Sequence, residues 1–277
     1  MGGQANLLAG QGQLGVNLEQ IVVAPTVSYK LNERSSIGIS PLLIYQRFKA
    51  FGLSGFQGMS ANPNFVTNQG RDDATGLGIR IGWLSKISDN VNLGASYSPQ
   101  TRMSEFHEYK GLFAQQGRFD IPENYSLGLT VKVTDALSAA FDYQRINYAN
   151  VRSVGNPSSR RLPLGSDRGP GFGWNDVNVY KAGVQYTVNQ QLTLRAGYNH
   201  SDNPIHSSDV TFNIIAPGVI EDHATLGASW RFSNGNNLNV AYTHAFHNSM
   251  SGPSIFGGQE TIEMYQDSLS ISYAWNF

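Results

Sequence analysis

Apolar residues alternate with small or polar ones along almost the whole chain, and this period of two limits the fold more than any other feature. In residues 89–99, one face of the pattern carries Val91, Leu93, Ala95 and Tyr97. About eleven such segments of roughly 9–11 residues recur, which is the length that a tilted strand needs to cross a bilayer. The alternation predicts strands with one face in hydrocarbon and the other towards an interior that is polar or open.

Two kinds of connection alternate between these segments. Short polar turns occupy residues 32–34, 88–90, 134–135, 189–191 and 233–236, and long loops rich in Gly, Asn, Pro and Ser occupy residues 52–73, 100–120, 150–173, 201–221 and 247–262. All the short turns therefore lie at one end of the predicted sheet and all the long loops at the other. Outer-membrane barrels have this arrangement, with short periplasmic turns and long extracellular loops.

The aromatic residues are sorted by strand direction. Strands that leave a short turn reach a tyrosine near their far end, at Tyr45, Tyr97, Tyr143, Tyr198 and Tyr242. Strands that approach a short turn carry aromatics beside it, at Tyr29, Trp83, Tyr186, Trp230 and Trp275. This sorting predicts an aromatic girdle at each membrane interface, and a soluble β-sandwich gives no reason for it. The sequence therefore predicts an all-β fold, a transmembrane antiparallel β-barrel with Ile79, Leu93 and Trp275 facing lipid.

Composition narrows the classes of function. The 19 basic and 20 acidic residues give a formal charge of −1, so no strong field selects nucleic acid. The absence of cysteine excludes a disulfide scaffold, a cysteine-based zinc site and a thiol nucleophile. The six histidines are scattered and predict no metal site, and no phosphate-binding loop or nucleophile motif is present. We therefore predict no enzyme activity and no cofactor.

Strand directions predict how the chain is organised. The first predicted strand, residues 16–31, and the last, which ends at Phe277, both run towards the short turns. Closing a bacterial barrel from them requires an odd number of further strands before residue 16. Residues 1–15 are predicted to be the remnant of an extracellular loop without a signal peptide, and residues 16–277 the C-terminal part of a transmembrane barrel.

Several motifs resemble one family of barrels. They are Trp174-Asn175-Asp176, Leu194-Arg195-Ala196-Gly197, Asn203-Pro204-Ile205, and the segment from Asp120-Ile121-Pro122-Glu123 to Asp142-Tyr143. Together they resemble the FadL/TodX/OmpP1 family of outer-membrane transporters for long-chain fatty acids and aromatic hydrocarbons. The final Tyr273-Ala-Trp275-Asn-Phe277 resembles the aromatic C-terminus that is common to outer-membrane barrels.

This resemblance implies a barrel of about fourteen strands around an N-terminal plug, of which about eleven strands lie in this chain. It implies passive uptake of hydrophobic compounds across the Gram-negative outer membrane, through capture by extracellular loops, a lumenal pocket and a lateral opening. It further implies a monomer among outer-membrane lipid and lipopolysaccharide, which the barrel assembly machinery recognises through Phe277. A hydrophobic small molecule is then the ligand, and nucleic acid is not a partner.

On the same resemblance, the capture loops are residues 52–73 and 100–118. Their apolar residues are the predicted ligand-binding set, namely Phe51, Phe56, Phe65, Phe106, Tyr109, Leu112 and Phe113. The last four follow helical spacing, which predicts two helical turns with one apolar face. The alternative is that these side chains pack the loops against each other, although an apolar patch on an external loop often marks a binding site.

A fatty-acid ligand needs a cationic partner for its carboxylate. Strand parity points Arg80 and Arg195 into the lumen, and Arg102 and Lys110 flank the second capture loop. The alternative role of the two lumenal arginines is a structural ladder with acidic neighbours. Asn175 stands where the family often has a basic residue, which leaves neutral hydrocarbons open as substrates. Two further functions stay open, a hydrophilic general porin and an outer-membrane barrel hydrolase.

Overall fold

The computed structural model describes residues 5–276, so Phe277 and its predicted recognition by the assembly machinery lie outside the described residues. Twelve strands form one antiparallel sheet. They are β1 (Gly15–Val23), β2 (Val27–Lys30), β3 (Ser35–Phe51), β4 (Asp72–Ser88), β5 (Val91–Ser98), β6 (Glu123–Lys132), β7 (Leu137–Asn147), β8 (Val177–Thr187), β9 (Leu192–Ser201), β10 (Asp222–Arg231), β11 (Asn237–Pro253) and β12 (Gln259–Ala274). The antiparallel barrel wall predicted from the alternation is confirmed.

The strands follow one another in the sheet in chain order, with β1 and β2 both paired to β3. The predicted first strand is therefore present but interrupted at residues 24–26, so eleven strand positions lie side by side. Within residues 5–276, the edge strands β1 and β12 each pair on one side. Because neighbours alternate in direction, these two edges point the same way, as predicted.

Two prolines explain the interruption. Val23 pairs with Leu43 and Val27 with Ile39, so the unbroken register places Pro25 opposite Pro41. Neither proline has an N–H to donate, and the ladder therefore lapses where they face each other. Pro41 lies about 20 Å along β3 from its start at Ser35, at roughly 3.3 Å per residue, and therefore well inside the strand.

The predicted turns and loops agree with the structure except at the last loop. All five short turns separate paired strands, and the first four long loops span their predicted positions. The predicted loop at residues 247–262 is wrong, because β11 and β12 continue to Pro253 and Gln259 with a bulge between Ala245 and Asn248. Their extension is covered on one face, where Ile262 packs with residues of the preceding loop, including Ile205, Val210 and Val219.

Between residues 5 and 276, helical structure is confined to segments of three to six residues in the long loops. The 3₁₀ turns are Ser54–Met59, Pro63–Phe65, His107–Tyr109, Tyr148–Asn150 and Ser207–Asp209, and the short helices are Ala114–Gly117, Arg152–Gly155 and Val210–Asn213. The predicted two-turn helix at Phe106–Phe113 is reduced to the turn at His107–Tyr109. None of the helices between residues 5 and 276 has the length and apolar character to cross a membrane.

The two faces of the sheet differ as the alternation requires. Outward-facing apolar side chains are exposed, for example Ile79 at 37%, Leu127 at 57% and Trp275 at 65%, and Leu93 is also only partly buried. No second sheet covers them in the part of the chain that the structure describes. Apolar exposure on this scale is unfavourable in water and favourable in lipid. The sandwich alternative is therefore excluded.

At the loop end of the strands, four of the five predicted girdle tyrosines are anchored to carboxylates, and the fifth, Tyr143, donates to Asn178. In each pair a tyrosine hydroxyl donates to an acidic residue on the next strand. The pairs are Tyr45 with Asp73 at 2.7 Å, Tyr97 with Glu123 at 2.5 Å, Tyr198 with Asp222 at 2.6 Å and Tyr242 with Asp267 at 2.6 Å. The ring of each tyrosine thus has an apolar body and a polar end, which suits a boundary between hydrocarbon and water.

The long loops pack against one another and against the loop ends of the strands, and this packed region is called the roof below. A single cluster of buried side chains joins Leu8 of the N-terminal segment, Phe48 of β3 and apolar residues of three loops. Its other members include Leu53, Phe56, Phe106, Tyr109, Leu112, Phe113 and Leu164. The assignment of residues 1–15 to an extracellular loop stays a prediction, although Leu8 is fully buried in this roof.

A charge placed on the lipid face is expected to destabilise the barrel, and the same charge in the lumen is not. Leu127 faces outward near the middle of β6, whereas its neighbour Ser126 hydrogen-bonds Ser96 across the lumenal face at 2.8 Å. Leu127→Arg should lower the free energy of unfolding in lipid vesicles by about 2–4 kcal/mol. Ser126→Arg is the matched control, and equal destabilisation by the two substitutions would contradict the assignment of faces.

Candidate binding cavity

The cavity that the loops cover, called the main cavity below, has a volume of about 440 Å³. More open hollows of about 530 and 540 Å³ lie along β8 to β11, with no aromatic residue in common with it in the described linings. Strands β1, β3, β6 and β7 provide one part of its wall, and the loops after β5, β7 and β9 provide the rest. Its aromatic residues are Phe48, Phe113, Phe119, Tyr148, Phe172 and Trp174, and its larger aliphatic residues are Val16, Leu18, Ile121, Ile146, Val154 and Ile215. Such a wall suits an apolar guest.

The apolar lining begins on the strands themselves. Along β3, the buried inward positions are Ser40, Leu42, Ile44, Gln46 and Phe48, so the fully buried Gln46 interrupts an otherwise apolar series after Ser40. Leu42 and Ile44 pack against Met103 of the loop after β5. The inner wall therefore becomes apolar towards the extracellular end, where the loops cover it.

Four polar side chains also line this cavity, namely Gln20, Asn124, Gln144 and Asp120. Gln20 accepts a hydrogen bond from the Nε2 of the fully buried Gln46 at 3.0 Å. Among the residues that the structure describes, no lysine, arginine or histidine belongs to the lining. Asp120 is therefore the only Asp, Glu, Lys, Arg or His in the described lining of this cavity.

Asp120 is held in place by the loop that carries it. Its Oδ1 accepts a hydrogen bond from the backbone N–H of Met103 at 2.8 Å, and its Oδ2 accepts one from Gln100 Nε2 at 3.1 Å. The residue is only 6% exposed. Burial raises the pKa of the Asp120 carboxyl above its ordinary value, and these hydrogen bonds, with the charges of Arg118 and Arg102, oppose the rise.

A much smaller space of about 30 Å³ lies between the loops. Phe56, Leu112, Leu164 and Phe212 line it, and it shares Phe113, Phe172 and Ile215 with the main cavity. These three shared side chains are thus the partition between the two spaces.

The predicted capture residues divide into two groups. Phe56, Phe106, Tyr109, Leu112 and Phe113 are buried together in the loop cluster, so they pack the loops against one another. Phe113 alone of these five also lines the main cavity. The Tyr109 hydroxyl fixes the arrangement, because it donates to the Gly70 carbonyl at 2.5 Å and accepts from the Ala50 N–H at 3.0 Å.

The other two predicted capture residues are partly exposed. Phe51 ends β3, with the Lys49 ammonium 5.7 Å from its ring centroid. Phe65 lies beneath the Lys110 ammonium, which is 3.9 Å from its ring centroid. Lys110 therefore makes a cation–π contact with the first capture loop.

The predicted carboxylate-binding arginines lie apart from the main cavity. Arg80 Nε donates to Ser98 Oγ at 3.0 Å, and Arg195 donates to Gln185 Oε1 at 2.8 Å and Ser229 Oγ at 2.6 Å. These partners are neutral, so the arginines take part in polar ladders that differ from the acidic ladder considered from the sequence. Arg102 is exposed in the loop. A carboxylate-binding role for these residues stays a prediction.

Sequence reasoning missed Lys181, the cation that is linked to the cavity. Strand parity on β8 places it inward, the same signal that identified Arg80 and Arg195. Lys181 lines an adjoining space of about 380 Å³ that shares Ile146, Tyr148 and Trp174 with the main cavity. Its Nζ donates to Gln144 Oε1 at 3.4 Å. Phe119, Phe172 and Ile215 were also missed, because loop residues have no periodicity that assigns them to an inner face.

Comparison with known protein families also indicates an outer-membrane protein. Residues 4–253 match the model of a family described as outer membrane protein transport protein (OMPP1/FadL/TodX). No curated protein sequence matches the chain.

Solved structures agree in fold at low sequence identity. The Pseudomonas putida toluene transporter TodX is 21% identical, with a TM-score of 0.63 over 95% of this chain and 70% of that one. The Ralstonia pickettii toluene transporter TbuX is 16% identical, with a TM-score of 0.64 over 98% and 72%. A Pseudomonas aeruginosa FadL homologue is 18% identical, with a TM-score of 0.67 over 93% and 67%.

Replacing Asp120 with asparagine is expected to stabilise the folded protein at neutral pH. Burial raises the folded-state pKa of Asp120, so the protonated carboxyl contributes to the free energy of unfolding. That contribution is complete below the unfolded-state pKa and is lost as the pH rises through the folded-state pKa. The advantage of Asp120→Asn in the free energy of unfolding should therefore shrink as the pH falls to about 3. Urea unfolding of both proteins at several pH values measures this difference in the free energy of unfolding.

The matched control for this prediction is Asp89→Asn in a short turn outside the strands. The hydrogen bond from Lys86 lowers the pKa of Asp89, so the substitution should not stabilise the protein at neutral pH. A pH-independent effect of Asp120→Asn would show that burial of its charge is not the cause.

Proposed function

The chain belongs to the OMPP1/FadL/TodX family of outer membrane transport proteins, and from this premise we propose that it is a passive outer-membrane channel for uncharged hydrophobic compounds, with small aromatic hydrocarbons as the preferred class. The observation that carries the proposal is the apolar cavity beneath the loops, which six aromatic side chains line. No bond is made or broken in this function. Transport follows the concentration gradient, and the protein contributes a binding site.

The charge of the cavity wall favours a neutral ligand. A carboxylate placed there would lose its hydration without gaining a cation, because Asp120 is the charged residue of the lining. Asp120 would also repel it whenever both groups are ionised. An aromatic hydrocarbon meets neither penalty, and its ring can pack edge-to-face with side chains such as Phe172 and Trp174.

The route we propose has three parts. Ligand is captured between residues 52–73 and 100–118, passes the partition at Phe113 and occupies the main cavity. It leaves sideways into the membrane where Pro25 faces Pro41 and the wall lacks ladder hydrogen bonds. The lumenal face below the cavity carries Arg80 and Arg195 in hydrogen-bonded ladders, and the lining of the hollow beside Arg195 contains no aromatic residue among those described, which favours lateral exit of an aromatic ligand.

Lys181 supports a second candidate, transport of a long-chain fatty acid. An alkyl chain would occupy the main cavity, and its carboxylate would reach Lys181 past Ile146 and Tyr148, which both spaces share. Asp202 lines the same adjoining space, but its Oδ2 is already engaged by Asn178 N and Nδ2 at 2.9 and 2.7 Å. This candidate requires the ligand to span both spaces, whereas a small aromatic ring fits within one.

Uptake of two radiolabelled compounds tests the proposal. The protein, expressed in an outer membrane that lacks related channels, should accelerate uptake of toluene more than uptake of oleate. Swelling of proteoliposomes in sugar solutions tests the hydrophilic porin, for which we expect no size-dependent sugar flux. Acceleration of sugar flux without toluene uptake would refute the proposal, and preferential oleate uptake would favour the second candidate.

Filling the cavity is expected to block uptake of toluene. Ala216 lines the cavity, so Ala216→Phe places a ring in the space that the ligand needs. We expect the apparent affinity for toluene to fall by about tenfold or more, which corresponds to about 1.4 kcal/mol. Ala139→Phe on the outward face of β7 is the matched control, and an equal loss in both variants would show that the cavity is not the binding site.

Removing the Lys181 charge separates the two candidates. For a neutral ligand, Lys181→Gln should leave toluene uptake unchanged, because the ammonium does not line the main cavity. For a carboxylate ligand, the same variant should lower oleate uptake by roughly tenfold, the usual scale for a lost charge-assisted hydrogen bond. Lys132→Gln, at the periplasmic end of β6 where Lys132 pairs with Asp135 at 2.6 Å, is the control.

A further inference from the structure

We propose that Phe113, Phe172 and Ile215 form a selectivity constriction between the extracellular loops and the main cavity, and that the left-handed turn at Gln115–Gly117 holds Phe113 in the closed position. The inference rests on the proposed function, because it assigns the residues that control access to that same cavity. It adds a size-selective step before binding.

Phe113, Phe172 and Ile215 lie at the boundary between two spaces of very different size. They are the residues shared by the narrow space between the loops and the wide space below it. The upper space is about 30 Å³ and the lower one about 440 Å³, so a molecule moving inward meets the restriction at this point. None of the three residues carries a polar group, and water gains no hydrogen bonds there.

Phe113 is the central member of the constriction. Its ring centroid lies 4.9 Å from that of Phe48 on the barrel wall and 5.1 Å from that of Phe119 on its own loop. The residue is 6% exposed. Because Phe113 contacts cavity-lining rings on two sides, opening the passage requires Phe113 to move, whereas Phe48 is fixed in β3.

The chain directly after Phe113 is strained. Gln115 has φ 57° and ψ 38°, and Gln116 has φ 58° and ψ 44°. Two successive non-glycine residues in the left-handed region are unusual, because the Cβ atom of each approaches the following carbonyl oxygen. Gly117, at φ 102°, completes the turn and donates its N–H to the Phe113 carbonyl at 3.1 Å. The turn therefore moves together with Phe113.

A second loop holds the turn in this conformation. Gln115 N–H donates to the Ser166 carbonyl at 3.2 Å, and Gln116 N–H donates to the Gly165 carbonyl at 2.9 Å. The neighbouring Leu164 is in turn hydrogen-bonded to the first capture loop, through Met59 and Ala61, at 2.9 and 3.0 Å. Displacement of the capture loop would thus pull residues 164–166 away from the turn.

In this proposal, the turn at Gln115–Gly117 has a closed and an open arrangement. While residues 165–166 accept the two hydrogen bonds, the strained turn persists and Phe113 closes the passage. When they withdraw, Gln115 and Gln116 can relax to right-handed backbone conformations, and Phe113 is carried with them. Strain that persists only under external contacts is a common property of gates and switches.

A reversible cross-link tests the role of the turn. The chain contains no cysteine, so Gln115→Cys with Ser166→Cys introduces a single possible disulfide between adjacent backbones. In the oxidised double variant, toluene uptake should fall by roughly tenfold relative to the same protein after reduction. The two single-cysteine variants should respond to neither treatment. Equal uptake by the oxidised and reduced double variant would overturn the assignment of the turn.

A second measurement tests the constriction without depending on the transported substrate. Ala216→Cys places one thiol in the main cavity, and the rate of its alkylation by externally added N-ethylmaleimide reports access from outside. Adding Phe113→Ala or Ile215→Ala should raise this rate by about tenfold. Phe256→Ala is the matched control, because Phe256 packs on Phe56 at 5.7 Å but does not line the cavity.

The outcomes of the two tests separate the two proposals. Equal alkylation in the Phe113→Ala, Ile215→Ala and Phe256→Ala backgrounds would overturn the constriction, even if toluene uptake is normal. Faster alkylation in the first two backgrounds, with no toluene uptake by the unmodified protein, would support the constriction and refute the proposed function. The alkylation test also remains decisive if the double-cysteine variant fails to assemble.

Discussion

Backbone hydrogen bonding in hydrocarbon is the constraint on which this structure depends. A strand inside a bilayer has no water to satisfy its N–H and C=O groups, so each strand must pair with its neighbours along the membrane span. The antiparallel pairing of each strand from β3 to β12 with its neighbours meets this requirement, with register shifts only between Lys86 and Ser88 and between Ala245 and Asn248 in the described residues. Its consequence for the side chains is strict alternation, because successive residues of a paired strand point to opposite faces. Neighbouring residues on a strand therefore face lipid and lumen alternately.

The exceptions to that pairing mark the places where function is proposed. Pro25 and Pro41 lie opposite each other within the membrane span and leave residues 24–26 outside the ladder. Beyond the ends of the strands, the loops pack together and form the apolar roof. The cavity below this roof has an apolar wall although most of the lumenal face is polar. The proposed selectivity for hydrophobic compounds therefore depends on the roof and the upper strands together.

The difference between Arg195 and Asp120 illustrates how far sequence reasoning extends. Strand parity correctly placed Arg195 in the lumen, but its neutral partners Gln185 and Ser229 depend on the stagger between β8, β9 and β10. Asp120 lies in a loop, where no period assigns a side chain to either face, and only the folded loop shows that it enters the cavity wall. For the same reason Phe172 and Ile215 were not identifiable in advance. The prediction of a two-turn helix at Phe106–Phe113 was wrong. The chain forms one turn at His107–Tyr109, and its apolar side chains pack against other loops.

The sequence by itself determined most of the strands, their directions, their two faces and the end of the sheet at which the loops lie, but not the break at residues 24–26 or the extension of β11 and β12. It did so because alternation, turn composition and interfacial aromatics are local features that the bilayer makes obligatory. Only the tertiary structure decided which loop residues meet above the lumen, which charges reach the cavity and where the passage narrows. Those features arise from contacts between segments far apart in the chain, such as Gln116 with Gly165, and no local pattern encodes a contact whose two halves belong to different loops.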